Sequence, residues 1–291
     1  MNLLEISKEI KDLIESRREK IQLSFIEEDH IYFMLNENGE LRSDFPSVSK
    51  VLKEFYNPFD DNLKSFQMSG GDVFEQQELL KKWKMAADYS TNMGSRVHYI
   101  LESELIGRNG NYKEVRKPIF ECDDSQITKG DMMVNAGKKY LDLMNERNAI
   151  LLDTEMILGD PDYGYTGQPD KIWLVENKDK NDFGFLITDW KTNQPKNFEV
   201  QPYTDKMLGI FKEYPNTSLY HYYLQLPLYG RLLKKMLEGT KFSDKKLYGC
   251  FVVLLKNDSE FLEYRAPLEI IDKVLNMDIK YFTNKIIKKN G

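Results

Sequence analysis

Between residues 149 and 192 the chain changes its period. AILLDTEMIL, GYTGQPDKIWLV and FGFLITDWKT read as three successive strands, and the charged, glycine-containing link ENKDKNDFG between the last two has hairpin chemistry. Helical spacing lies on both sides of them, over DMMVNAGKKYLDLMNERN before and LYHYYLQLPLYGRLLKKML after. A strand at LYGCFVVLLK, a short partner at EFLEYR and a last helix from Pro267 complete the series. Helices, a strand meander, a helix, strands and a helix predict an α/β chain whose mixed central β-sheet is flanked by helices.

Upstream, MNLLEISKEIKDLIESRREK sets Leu3, Ile6, Ile10 and Leu13 at helical spacing and reads as an amphipathic helix. Its acids, Glu5, Glu9, Asp12, Glu15 and Glu19, are unlike a signal or transit leader. LSFIEED and HIYFML lead into the turn signal Asn36-Glu37-Asn38-Gly39, which predicts a hairpin, and Pro46-Ser47 opens a short helix over SVSKVLKEFY. Residues 57–80, with Pro58 and Gly70-Gly71, read as turn-rich and as the internal boundary. An N-terminal part over 1–84, holding the helix, the hairpin and the PSVS segment, is therefore expected to pack on a core over 85–291. In that core STNMGSRVHYILESEL predicts a helix over 90–105, and residues 107–127 read as a loop.

Composition removes several classes. With 41% hydrophobic and 12% aromatic residues the chain is not disordered, and no run approaches the roughly 20 apolar residues of a membrane span, so no membrane partner is expected. Two widely separated cysteines, Cys122 and Cys250, cannot build a disulfide framework or a thiolate metal cluster, which fits a reducing cytoplasm. The net charge of -6 counts against coating nucleic acid over the whole surface. It is also unevenly spread: residues 231–291 hold 13 Lys or Arg against 8 Asp or Glu, leaving 28 against 39 before them. That basic excess suits either the end of a last helix, through Lys285, Lys288 and Lys289, or one wall of a phosphate-binding groove.

The segment GQPDKIWLV, then ITDWKTN, carries the chemistry. Asp170 opens one strand, and Asp189 and Lys191 end the next; alternation sends these last two to one face and Trp190 to the other. If the strands pair as a hairpin, Asp170 comes beside Asp189, and two carboxylates share a pocket with an ammonium. Hard divalent cations take such oxygens, neutralise a phosphodiester and activate water, while a lysine orients that water or stabilises developing charge. A D-x-K triplet at a strand end reads by itself as an ordinary surface ion pair. His98 and Glu102 fall four apart on one helix face, and so do Gln225 and Tyr229, where an amide and a phenol could hold a water, a phosphate or the lysine.

Taken in order, G-S-x-V-H-x-x-x-E, Glu155, G-x-P-D, D-W-K-T and Q-x-x-x-Y resemble the RecB-type branch of the PD-(D/E)XK nuclease superfamily. FPSVSKVL is similar to a segment of phage exonucleases and of the mitochondrial genome maintenance exonuclease, and the resemblance spans residues 45–229. It implies a restriction-endonuclease-like core with Mg²⁺ or Mn²⁺ as cofactor. Carried over residue by residue, the metal ligands fall on His98, Asp170, Asp189 and the Trp190 carbonyl, and the catalytic lysine on Lys191. Gln225 and Tyr229 fall on the accessory motif, Glu155 on an acidic position before the G-x-x-D strand, and Ser95 and Thr192 on hydroxyls that could meet phosphate. Members that hold an iron–sulfur cluster through four cysteines are excluded.

The resemblance implies a metal-dependent DNA exonuclease acting on single-stranded or end-bearing DNA in phage or bacterial replication, recombination or repair, alongside partner proteins of those processes. A structure-specific endonuclease using the same site, or a non-catalytic nucleic-acid-binding member of the fold, stands as the alternative. Near the site Tyr163, Tyr165, Trp190, Tyr220, Tyr222 and Tyr223 are candidates for stacking unpaired bases or for packing. Location in the cytoplasm, that of a bacterial host if the protein is phage-encoded, is expected.

Overall fold

The computed structural model describes residues 2–26, 28–108, 121–193, 198 and 205–290. Helix α1 (Leu3–Lys20) starts where the Asn2 side chain accepts the backbone N–H groups of Leu4 and Glu5, and it buries Leu3, Ile10 and Ile14. Strands β1 (Ser24–Ile26), β2 (Ile31–Leu35) and β3 (Leu41–Arg42) form a small antiparallel sheet. Its β2–β3 turn is fixed by Asn36, whose side chain accepts the N–H groups of Asn38 and Glu40. Helix α2 (Val48–Leu52) is capped by Ser47, as the sequence predicts.

Residues 57–80 keep the expected turn at Gly70-Gly71, but they are helical over 61–68 and from 73 onward. Helix α3 (Asp61–Met68), capped by Asp60, is followed at Gly70 and Gly71, both at positive φ, by a reversal into α4 (Val73–Arg108). The expected division after residue 84 falls inside α4, a continuous helix of 36 residues. The reason is local: the two glycines supply one left-handed turn, and QQELLKKWKMAA beyond them is built of strong helix formers. Residues 109–120, most of the expected loop, lie outside the described residues, and α5 (Asp124–Glu146) opens with a reciprocal cap between Asp123 and Gln126.

The first two expected strands are each divided. AILLDTEMIL becomes β4 (Ile150–Thr154) and β5 (Leu158–Asp160), and GYTGQPDKIWLV becomes β6 (Tyr165–Gly167) and β7 (Lys171–Asn177). Glu155, at a φ of 48°, turns the first run, and Pro169, which has no N–H to give a ladder, breaks the second. Strands β5 and β6 pair with each other. Strands β4 and β7 join β8 (Asp182–Lys191), β9 (Lys246–Leu255) and β10 (Phe261–Arg265) in a central sheet of order β10-β9-β8-β7-β4. The β8–β9 pair is parallel and the others are antiparallel, so the sheet is mixed.

Helix α6 (Ser218–Met236) follows β8, and the expected last helix is two, α7 (Leu268–Asn276) and α8 (Ile279–Asn290), separated at Met277, whose backbone is extended. Helices cover both faces of the sheet. Phe183, Phe185 and Ile187 of β8 join a core with Ile10 of α1, Leu228 of α6 and Ile270 of α7. The alternate residues Leu186 and Trp190 pack instead with Val97 and Leu101 of α4 and Tyr140 of α5. Among the described residues no helix is long and apolar enough to cross a membrane.

The basic excess of residues 231–291 is largely folded back onto acids. Lys235 pairs with Asp162, Lys241 with Glu9, Lys245 with Asp182, Lys273 with Glu213 and Lys285 with Glu54. Exposed pairs of this kind are each worth up to about 1 kcal/mol. Much of the asymmetry is thus internal charge compensation, which does not favour the groove wall, while Lys288 and Lys289 fall in the last turn of α8, where the helix-end reading put them.

Candidate active site

Lys171 stands opposite Thr188 in the antiparallel β7–β8 pair, which brings Asp170, just before β7, beside Asp189 near the end of β8. Alternation sets Asp189 and Lys191 on the α6 side of the sheet and Trp190 on the α4 side. Lys191 Nζ lies 2.6 Å from Asp189 Oδ2 and 4.4 Å from the centre of the Tyr222 ring of α6. The Trp190 N–H donates to Asp170 Oδ2 at 3.3 Å.

His98 approaches the same carboxylate from the opposite layer, with Nδ1 3.6 Å from Asp170 Oδ2. Glu102, one turn along α4, accepts from Thr154 Oγ1 at 3.3 Å. His98, Glu102, Thr154, Glu155, Asp170, Lys171 and Trp190 line a cavity of about 20 Å³, room for one water-sized occupant. The turn at Glu155 is held by its N–H to the Asp170 carbonyl at 3.1 Å and by Gln168 Nε2 to its own carbonyl at 3.0 Å. The site therefore has two halves, His98 with the cavity acids and Asp189 with Lys191, and Asp170 belongs to both.

Its electrostatics follow from burial and close charge. Burial opposes ionisation of Asp170, but Lys171, a hydrogen bond from Asp189, His98 and Lys191 together hold it well below the usual carboxylate range. Burial, and then the Asp170 charge, push Asp189 well above that range against the pull of Lys191. Two acids this close keep one proton between them, and it belongs to the pair. Burial also raises Glu155, with Asp170 and Glu102 adding to it. Lys191 stays an ammonium, because Asp189 and Asp170 outweigh its burial. Burial lowers His98 to about 4 although Asp170 pulls the other way, so the imidazole is neutral at pH 7, the form that binds metal ions.

Among the described residues no three His, Cys, Asp or Glu side chains form a ready cation cage. The ammonium of Lys171 stands 3.5 Å from Asp170, and that of Lys191 stands against Asp189. The donor set still suits a hard divalent ion. Asp189 Oδ1 is buried and receives no hydrogen bond, and a cation would take the place of the proton that the two acids share.

Gln225 and Tyr229 are neighbours on α6, but they satisfy each other: Gln225 Nε2 donates to the Tyr229 hydroxyl at 3.0 Å. The α6 side chain against Lys191 is Tyr222 instead. The glycine of G-x-P-D has a packing role, since a β-carbon on Gly167 would lie 2.7 Å from the Tyr229 ring and 2.6 Å from Val48 Cγ2. Gly94 similarly admits Thr192, whose Oγ1 would lie 3.0 Å from a β-carbon there; Ser95, next to it on α4, is half-buried. Of the six aromatics named as base-stacking candidates, Tyr165, Trp190 and Tyr223 are buried, and Tyr163 and Tyr220 pack partly buried on the core. Sequence reasoning missed Lys171 and Thr154. The signal for Lys171 was its period-2 relation to Trp173, which puts it on the α4 face. Comparison with protein-family models and with curated proteins returned no match.

Proposed function

We propose that this chain is a nuclease of the PD-(D/E)XK type, RecB branch, with a restriction-endonuclease-like core. In this reading it is a Mg²⁺- or Mn²⁺-dependent deoxyribonuclease working in the cytoplasm, an exonuclease on single-stranded or end-bearing DNA in replication, recombination or repair. The observation that carries the reading is the grouping of Asp170, Asp189 and Lys191 at the end of one hairpin with His98 on the shared carboxylate.

Asp170, Asp189, His98 and the Trp190 carbonyl would hold the ion, which when bound supplies charge neutralisation at the phosphate and a more acidic water. Lys191, anchored 2.6 Å from Asp189, is set to orient that water and to stabilise charge developing on the phosphate. Tyr222, under the lysine, limits its swing away from Asp189. Gln225 and Tyr229 support this face of the site as a bonded pair. A non-catalytic role is disfavoured because all four groups His98, Asp170, Asp189 and Lys191 are present and adjacent.

The test is cleavage of end-labelled linear DNA by purified Asp189→Ala and Lys191→Ala proteins whose circular dichroism matches the parent. Both are expected to be inactive; retained cleavage in either would sink the mechanism.

A further inference from the structure

Lys171 is used by none of the steps above, yet its surroundings are unusual. It is the first residue of β7, only 3% exposed, and its ammonium lies 3.5 Å from Asp170 Oδ2 and 3.5 Å from the centre of the Trp190 ring. A buried ammonium costs several kcal/mol unless its partners compensate, and one long ion pair is poor compensation. The remainder comes from the Trp190 face and from Glu102 and Glu155, which line the same cavity. Conversely, a positive charge among Glu102, Glu155 and Asp170, all half-buried, lowers the cost of gathering three acids at one cavity.

The cavity has room for one small occupant, and the ammonium already stands against the carboxylate oxygen that a cation would use. Two cations cannot share that oxygen at low cost, since like charges about 4 Å apart near a protein surface repel by several kcal/mol. We propose that Lys171 is a resident counter-ion of this acidic cavity: it holds the place of a divalent cation and leaves Asp170 when one binds. This rests on the cation-binding reading of the site. Lys171 is then a positioning residue that sets how tightly the ion is held, and the metal-free fold depends on it.

The test is Mn²⁺ uptake by the full-length protein without DNA, followed by the paramagnetic resonance of free Mn²⁺, for the parent, Lys171→Met and Lys171→Arg. The methionine keeps the stem and removes the charge, so its dissociation constant is expected to fall about tenfold or more. Its metal-free melting temperature is expected to fall as well, and Mn²⁺ to restore it. The arginine keeps the charge and is expected to bind as the parent does. Should the methionine variant not fold without metal, Lys171→Gln takes its place with the same expectation. Unchanged or weaker Mn²⁺ binding by the uncharged variant overturns the counter-ion role alone, because Lys171 would then be organising Asp170 for the ion. If no protein takes up Mn²⁺, the parent included, the cation reading falls and the counter-ion role with it.

Discussion

Gly167 of β6 and Tyr229 of α6 stand so close that a β-carbon on the glycine would come within 2.7 Å of the ring. The contact sets the spacing between the small β5–β6 sheet and the helix that faces Lys191. The Tyr165 hydroxyl, donating to the Leu228 carbonyl at 3.0 Å, ties the same two elements. Gly167→Ala is therefore expected to destabilise the protein by about 1–3 kcal/mol through overpacking. Urea unfolding would measure it, and a stability equal to that of the parent would mean that α6 yields without cost.

The two histidines lowered to about 4, His98 and His221, predict how stability responds to acid. Burial is the main cause in both, and each is neutral in the folded state. A folded value below the ordinary 6.5 means that unfolding takes up protons, so this contribution is complete above 6.5 and is lost as pH falls from there towards 4. Thermal melts across that window, run without metal, are expected to show the parent losing stability faster than His221→Asn. An identical slope in the variant would remove His221 from the account.

Chelation with EDTA is expected to abolish DNA cleavage, and Mg²⁺ or Mn²⁺ to restore it. The same ions are expected to raise the melting temperature in the absence of DNA, because a ligand that binds only the folded state stabilises it by mass action. Turnover that persists in EDTA would point to another chemistry.

On a substrate without ends, circular single-stranded DNA, an exonuclease is expected to be inactive while linear strands of the same sequence are digested. Comparable rates on circles and linear strands would favour the structure-specific endonuclease reading of the same site.

Much of the site was legible because it depends on short-range geometry. The period of two along a strand fixes that Asp189 and Lys191 share a face, hairpin register brings Asp170 beside Asp189, and four-residue helical spacing pairs His98 with Glu102. What was hidden depends on contacts between distant segments. The break at Glu155 rests on hydrogen bonds from its N–H to the Asp170 carbonyl and from Gln168 to its carbonyl, and neither can be read from a β-rich run. Lys171 is buried where Glu102, Glu155 and the Trp190 indole from other elements meet it at one cavity, whereas its own neighbours in sequence, Asp170 included, suggest only a strand start. Gly70-Gly71 marked a turn correctly, but the length of helix beyond it was set by the propensities of the following residues rather than by the glycines.

Helix α4 has a mechanical consequence. Its 36 residues make a rod of about 54 Å at 1.5 Å per residue, with Phe74 and Met85 exposed towards one end and His98 and Glu102 towards the other. Gly130 and Gly137 of α5 seat Arg96 and Leu101 closely, and His98 lies between these two contacts. The stretch of the rod that bears the imidazole is therefore clamped against α5, with the imidazole 3.6 Å from the Asp170 carboxylate. The molecule thus has a long rod whose fixed seat is at the acidic cavity.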